Sequence, residues 1–229
     1  MGGNQAVVPE LGNGGLVFFG QIMANVSHDF NNVITIVGEL AGLLHDLSSL
    51  AEDGRPIPLE KLKSISGNIS KYILRGKEII SHMNKFSHSV DEPYKEFDLQ
   101  ELIENMQALT QRIVERRQMS LSLELPEESI SVTGDPFEMR RAFWACLDLF
   151  LESSSASVSV SLRRSDNGRE LELDMEGDIA EATLEDHAVW IVLKDLVSRL
   201  GGRLSRNDVE NRTVLRLTIP AKGTRYEER

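Results

Sequence analysis

The chain has 229 residues, 41% hydrophobic and 27% charged, enough for one large domain or two small ones with buried cores. Aspartate and glutamate outnumber lysine and arginine 36 to 25, for a formal charge of −11, which argues against nucleic acid or an anionic membrane as the main partner. The single cysteine, Cys146, excludes a disulfide framework and a cysteine-based zinc site.

No uninterrupted apolar run approaches the ~20 residues of a membrane span, and the N-terminus lacks the pattern of a signal peptide. A soluble, cytoplasmic protein without a membrane span is expected. Residues 1–14, rich in Gly and Asn, read as a flexible tail. From Leu16 a helical pattern places Ile22, Val26, Phe30, Val33, Val37, Leu40, Leu44 and Leu47 at spacings of 4, 4, 3, 4, 3, 4 and 3, a sustained heptad repeat. Gly54, Pro56 and Pro58 break it. A second pattern follows at Leu59, Leu62, Ile65, Ile69, Ile73, Gly76, Ile80 and Met83. Two long amphipathic helices joined by a short turn make an antiparallel hairpin over 15–92. One hairpin leaves much of both apolar stripes open, so a second copy is expected to close a four-helix bundle as a homodimer.

Residues 93–222 have a different texture. Helical patterns cover 98–117, about 135–152 and 184–200, the second opened by Asp135 with Pro136 in its first turn and the third closed by Gly201 and Gly202. Period-two alternation marks strands at 120–125, 157–164, 169–175, 202–206 and 212–220, with a hairpin turn at Ser165–Asp166–Asn167–Gly168. The expected fold class is α+β, the helical hairpin followed by an α/β sandwich. Residues 223–229 read as a second tail.

On a helical wheel His28 lies roughly opposite the apolar stripe of the first helix, with Asp29 beside it and Asn32 one turn later. An exposed imidazole next to a carboxylate on a rigid helix suits nucleophilic attack, the carboxylate orienting the ring and taking its proton. Asn32 is placed to position a water or a phosphoryl oxygen. Periodicity alone is equally met by a solvated face without chemistry. His82 also faces away from its stripe but lacks an acid-and-amide pattern, and reads as a surface histidine. Trp144 and Trp190 read as core, and Arg112, Arg116 and Arg117 as a solvated helix end. His45, His88 and His187 have no metal-ligand spacing.

The stretch Phe19-x-x-x-x-Ala24-x-Val26-Ser27-His28-Asp29-Phe30-Asn31-Asn32-x-Ile34 resembles the H-box of sensor histidine kinases. The resemblance implies a dimerisation and histidine-phosphotransfer hairpin, with His28 as phosphoacceptor, Asp29 as general base and Asn32 contributing to phosphatase chemistry. From Phe97-Asp98-Leu99 through Gly134-Asp135-Pro136 and Gly201-Gly202 to Leu217-Thr218-Ile219-Pro220 the order of elements is similar to the kinases' Bergerat-type ATP-binding domain.

The nucleotide motifs depart from that pattern. The family's magnesium-holding Asn falls at Leu149, and Ala145 replaces another common Asn. Asp174-Met175-Glu176-Gly177-Asp178-Ile179 stands where the family has Asp-x-Gly-x-Gly, whose Asp takes the adenine amino group. Anchored on Asp174, the glycine positions hold Glu176 and Asp178, anions that repel phosphates. A one-residue shift returns Gly177 to the first glycine position and loses the Asp. About seven residues separate Ile179 from the last helix, too few for a lid, and His187 and Val189 fall at a second glycine box.

The implied protein is a histidine phosphotransferase with a degenerate ATPase-like domain, exchanging a phosphoryl group between His28 and the aspartate of response-regulator receiver domains without binding ATP. It needs no cofactor of its own, Mg²⁺ being expected on the partner receiver. Two alternatives remain open: an ATP-dependent histidine kinase core with a divergent nucleotide site, and a non-catalytic dimeric scaffold regulating a kinase or receiver.

Overall fold

The computed structural model describes residues 14–153, 155–166, 168–179, 187–209 and 212–221. The two tails (save Gly14), Asn167 of the hairpin turn and the stretch expected to lack a lid lie outside the described residues. Helix α1 (Gly14–Glu52) and α2 (Leu59–Ser87) form the antiparallel hairpin, followed by a short 3-10 turn at His88–Val90. At Gly76 of α2 an added Cβ would lie 3.3 Å from Val33 and 3.6 Å from Phe30 of α1. On length and composition alone α1 also meets the requirements of a membrane span, with mean hydropathy 1.4 over an 18-residue stretch of which 11% is buried.

Then come β1 (Lys95–Asp98), α3 (Leu99–Arg116), β2 (Ser120–Glu124), β3 (Ser131–Gly134), α4 (Pro136–Glu152), β4 (Ser157–Arg164), β5 (Glu170–Gly177), α5 (Ala188–Arg199), β6 (Arg203–Val209) and β7 (Arg212–Pro220). Five strands make one sheet in the order β2-β4-β5-β7-β6, with β2 and β4 parallel and the other neighbours antiparallel. Strands β1 and β3, each four residues, pair antiparallel as a separate ribbon that the sequence pattern does not announce. Asp98 caps α3 by accepting from the Gln100 and Glu101 amides at 2.8 and 3.1 Å. Asp135 does the same for α4 with Phe137 and Glu138.

The strands alternate as read. Val158, Val160 and Leu162 of β4, Leu171, Leu173 and Met175 of β5, and Leu215, Leu217 and Ile219 of β7 are all buried. They turn toward the helix layer of α3, α4 and α5, whose Leu102, Ile103, Met106, Phe143, Leu147, Phe150, Leu193 and Leu196 complete the core. Cys146 is free within it, and burial pushes its thiol pKa up, so it stays an inert apolar group.

The hairpin does not stand apart from this core. Phe18, Ile22 and Val26 of α1 and Phe86 of α2 belong to the same buried cluster. Phe86 packs edge-on to Phe18 with ring centres 5.5 Å apart and stacks on Phe19 at 5.3 Å, while Phe18 lies 5.7 Å from Phe137 of α4. The sandwich therefore covers the first third of the α1 stripe, leaving less of it than expected for a second copy to close. Elsewhere on the hairpin Ile34, Leu43, Leu50, Leu59, Ile73 and Ile80 remain exposed.

Candidate phosphoacceptor site

The docking of α3 against the hairpin builds the environment of His28. Asn25 donates to the Leu109 carbonyl at 2.8 Å, tying the two helices together. One turn along α3, Arg112 reaches back to α1. Its Nη1 donates to Asp29 Oδ1 at 2.5 Å, and its Nη2 lies 3.2 Å from His28 Nε2. A guanidinium can only donate, so His28 Nε2 accepts; the ring nitrogen that carries the free lone pair is the one facing Arg112. His28 is exposed, Asp29 is half-buried, and Asn32 is exposed on the same face one turn along.

Two cavities flank this contact. One, of about 410 Å³, is lined by His28, Asn25, Arg112, Arg116, Arg117 and Trp144, among others. The second, of about 720 Å³, holds Asp29 and Asn32 opposite His82, Arg75, Arg112 and Arg116. The structure thus places His28 on the smaller cavity and Asp29 and Asn32 on the larger, with Arg112, expected at a solvated helix end, lining both. No sequence signal could have found it, because 84 positions separate Arg112 from His28. Trp144, expected in the core, is half-buried on the smaller cavity, whereas Trp190 is buried as expected.

His82 also differs from its surface reading. It is half-buried, its Nδ1 accepts from Asn105 Nδ2 at 3.0 Å, and burial with the nearby Lys85 lowers its pKa, favouring a neutral ring.

Asp148 of α4 lines the smaller cavity, and its pKa is pushed up to about 6 by burial first and Glu152 second, against Arg117 and His187. The folded state therefore holds this proton more tightly than the unfolded chain. Its penalty is absent below the unfolded value near 3.8, grows as pH rises, and is complete above about 6. Allowing for partial exposure, Asp148→Asn should stabilise the protein by about 1–2 kcal/mol at pH 7.5. Thermal unfolding of both proteins should converge as pH falls toward about 4.

The nucleotide-site positions sit elsewhere. Leu149 is 2% exposed and Ala145 6%, both in the core, so α4 offers no oxygen at either position. Asp174 pairs across the sheet with Arg216, whose Nε and Nη2 donate to its two oxygens at 2.7 and 2.8 Å, and Arg163 approaches at 3.4 Å. Its chain neighbours Leu173 and Met175 are fully buried against the helices, so Asp174 points to the opposite face of the sheet. This register favours the one-residue shift: Met175 occupies the helix-facing position expected of the adenine-binding Asp, and Gly177 the first glycine. A Cβ at Gly177 would meet Phe150 and the Ser157 carbonyl at 2.9 Å, so the glycine is required by close packing. Glu176 pairs with Arg212 at 3.1 Å and Asp178 is exposed. His187 caps α5, accepting from the Val189 amide at 3.3 Å, and pairs with Glu152 at 2.9 Å. Its imidazole takes up a helix N-terminus that could otherwise face phosphate. These residues do not fit a magnesium-bound nucleotide. Among the described residues no cluster of His, Cys, Asp or Glu could hold a metal ion.

Comparison with solved structures identifies the architecture. The catalytic domain of histidine kinase ThkA, in a nucleotide-free form, superposes with a TM-score of 0.52 at 13% identity, covering 58% of this chain and all of that one. The chain has a histidine-kinase-like fold. A histidine kinase from Burkholderia phymatum STM815 matches at a TM-score of 0.50 and 14% identity, covering 86% of this chain and 98% of that one. That second likeness extends the histidine-kinase-like fold beyond the sandwich. No protein-family model and no curated protein matches the chain.

Proposed function

We propose that the protein is a histidine phosphotransferase that passes a phosphoryl group between His28 and the aspartate of a response-regulator receiver. The observation that carries this reading is a contrast within one chain. The histidine face is exposed and lined with arginines, while the positions that would meet a nucleotide hold buried Leu149 on α4 and Met175 on the helix-facing side of β5. The receiver would bring its own Mg²⁺ and most of the charge stabilisation, so that in-line transfer needs no nucleotide here. Asp29 would orient the ring or take its proton, and Asn32 would position a phosphoryl oxygen or water. A homodimer fits the exposed apolar residues of the hairpin, where Leu43 and Leu50, and Ile73 and Ile80, recur at seven-residue spacing.

The test is transfer from a panel of labelled, phosphorylated receivers in the absence of nucleotide. Label should move to the wild-type chain and not to His28→Ala; equal labelling of that variant would sink the reading.

The second reading, an ATP-dependent histidine kinase core, is favoured by the likeness to a kinase catalytic domain. Calorimetry with Mg-ATP separates the two: micromolar binding supports the kinase and overturns the nucleotide-free relay.

A further inference from the structure

We infer that Arg112 is a phosphoryl-binding residue of the His28 site, supplied by the sandwich to a nucleophile on the hairpin. The inference rests on His28 being the phosphoacceptor. Phosphorus must approach Nε2 along its lone pair, and the group now lying on that line is Arg112 Nη2, 3.2 Å away. A guanidinium presents parallel donors matched to two oxygens of a phosphoryl group, and such charge-assisted pairs are among the strongest hydrogen bonds in proteins. The second arm of the same fork holds Asp29 at 2.5 Å. Arg112 therefore sits between the nucleophile and its neighbouring carboxylate, bridging two elements that are otherwise far apart in the chain.

There is room for the exchange this requires. Arg112 lines both flanking cavities, of about 410 and 720 Å³, and Arg116 lines them with it. Arg117 adds a third cation to the smaller one. Among the described residues, the larger cavity sets Asp29, Glu78 and Glu115 against its three arginines. The smaller one, which holds His28, sets only Asp148 against Arg112, Arg116 and Arg117, a local excess of cations that favours an anionic phosphoryl group in a chain of net charge −11.

The Nε2 lone pair forms the N–P bond, the P–O bond of the incoming aspartyl phosphate breaks, and the electron pair leaves on the aspartate carboxylate. Arg112 moves from the lone pair to the transferred oxygens. That movement releases Asp29, whose carboxylate becomes free to accept the Nδ1 proton of the phosphorylated ring.

Phosphoramidate, a small donor that phosphorylates histidine without nucleotide or receiver, isolates this role. The full chain is incubated with it, and phosphohistidine is followed by ³¹P NMR in wild type, Arg112→Ala, Arg112→Lys and His28→Ala. Wild type should be labelled on His28. Arg112→Ala should be labelled about 100- to 1,000-fold more slowly, the range for removing one preorganised charge stabiliser. Arg112→Lys, which keeps the charge and loses the fork, should fall between, and millimolar guanidinium should partly restore Arg112→Ala. Circular dichroism confirms that each variant is folded, and the lysine variant serves if the alanine variant is not. Labelling of Arg112→Ala at the wild-type rate overturns the inference. Faster labelling also overturns it, because Arg112 would then only cover the nucleophile. If wild type takes no label, or His28→Ala takes as much, the phosphoacceptor reading itself fails.

Discussion

Replacing Phe86 with alanine should lower stability by about 3–5 kcal/mol and loosen the hairpin from the sandwich. Phe86 is completely buried, on the last turn of α2, with Phe18 and Phe19 of α1 on one side and Phe137 of α4 beyond them. Its ring belongs to both halves of the molecule, so truncation leaves a cavity at their junction rather than deep in either. For a chain of this size such a loss corresponds to a drop in melting temperature of roughly 6–20 °C. A control at the exposed Ile191, Ile191→Ala, should stay within about 0.5 kcal/mol. The junction also sets the distance between Arg112 and His28. Phe86→Ala should therefore slow phosphoramidate labelling of His28 under conditions where the protein remains folded, and limited proteolysis should report a more accessible 88–98 connection. An unchanged melting temperature would show that the aromatic cluster does not bolt the two parts together.

Leu149→Asn restores the residue type that the resemblance to histidine kinases calls for, and it should fail to restore nucleotide binding. Leu149 is 2% exposed and belongs to the sandwich core, so an amide placed there gives up apolar packing and enters an environment where its donors and acceptor lack partners. The expected cost is about 2–4 kcal/mol. Mg-ATP should shift the melting temperature of neither wild type nor variant, because the helix-facing Met175 and the packed Gly177 close the same region from the sheet side. A ligand that bound the native state at 100 times its Kd would stabilise by about 2.7 kcal/mol, readily visible in such a scan. A clear shift in the wild type would reinstate the kinase reading.

Much of the architecture is legible in the amino-acid order because it depends on local periodicity. The heptads from Ile22 to Leu47 and from Leu59 to Met83 produce α1 and α2, and the breakers at Gly54, Pro56 and Pro58 separate them. Asp98 and Asp135 open α3 and α4 as N-caps, and alternation marks β2, β4, β5 and β7. Strands β1 and β3 escape because four residues are too few to show a period, and their stability comes from pairing Phe97 with Val132 across 35 positions. His82 escapes because its partner, Asn105, lies on another helix.

The candidate site divides along the same line. A motif on one helix face suffices to bring forward His28, Asp29 and Asn32, since a helix holds neighbours three and four apart together whatever surrounds it. Arg112 could not be found that way, for its place beside His28 is decided by the packing of α3 on α1. Nor could counting residues decide between Asp174 and Met175, because a slip of one position in a strand exchanges its two faces. By itself, then, the sequence determined the hairpin, the order of sandwich elements and the histidine face, all products of local spacing. Only the tertiary structure decided which side of the sheet each carboxylate occupies, how much of the hairpin the sandwich covers, and which cation meets the nucleophile. Those depend on contacts between segments distant in the chain, where no local periodicity operates.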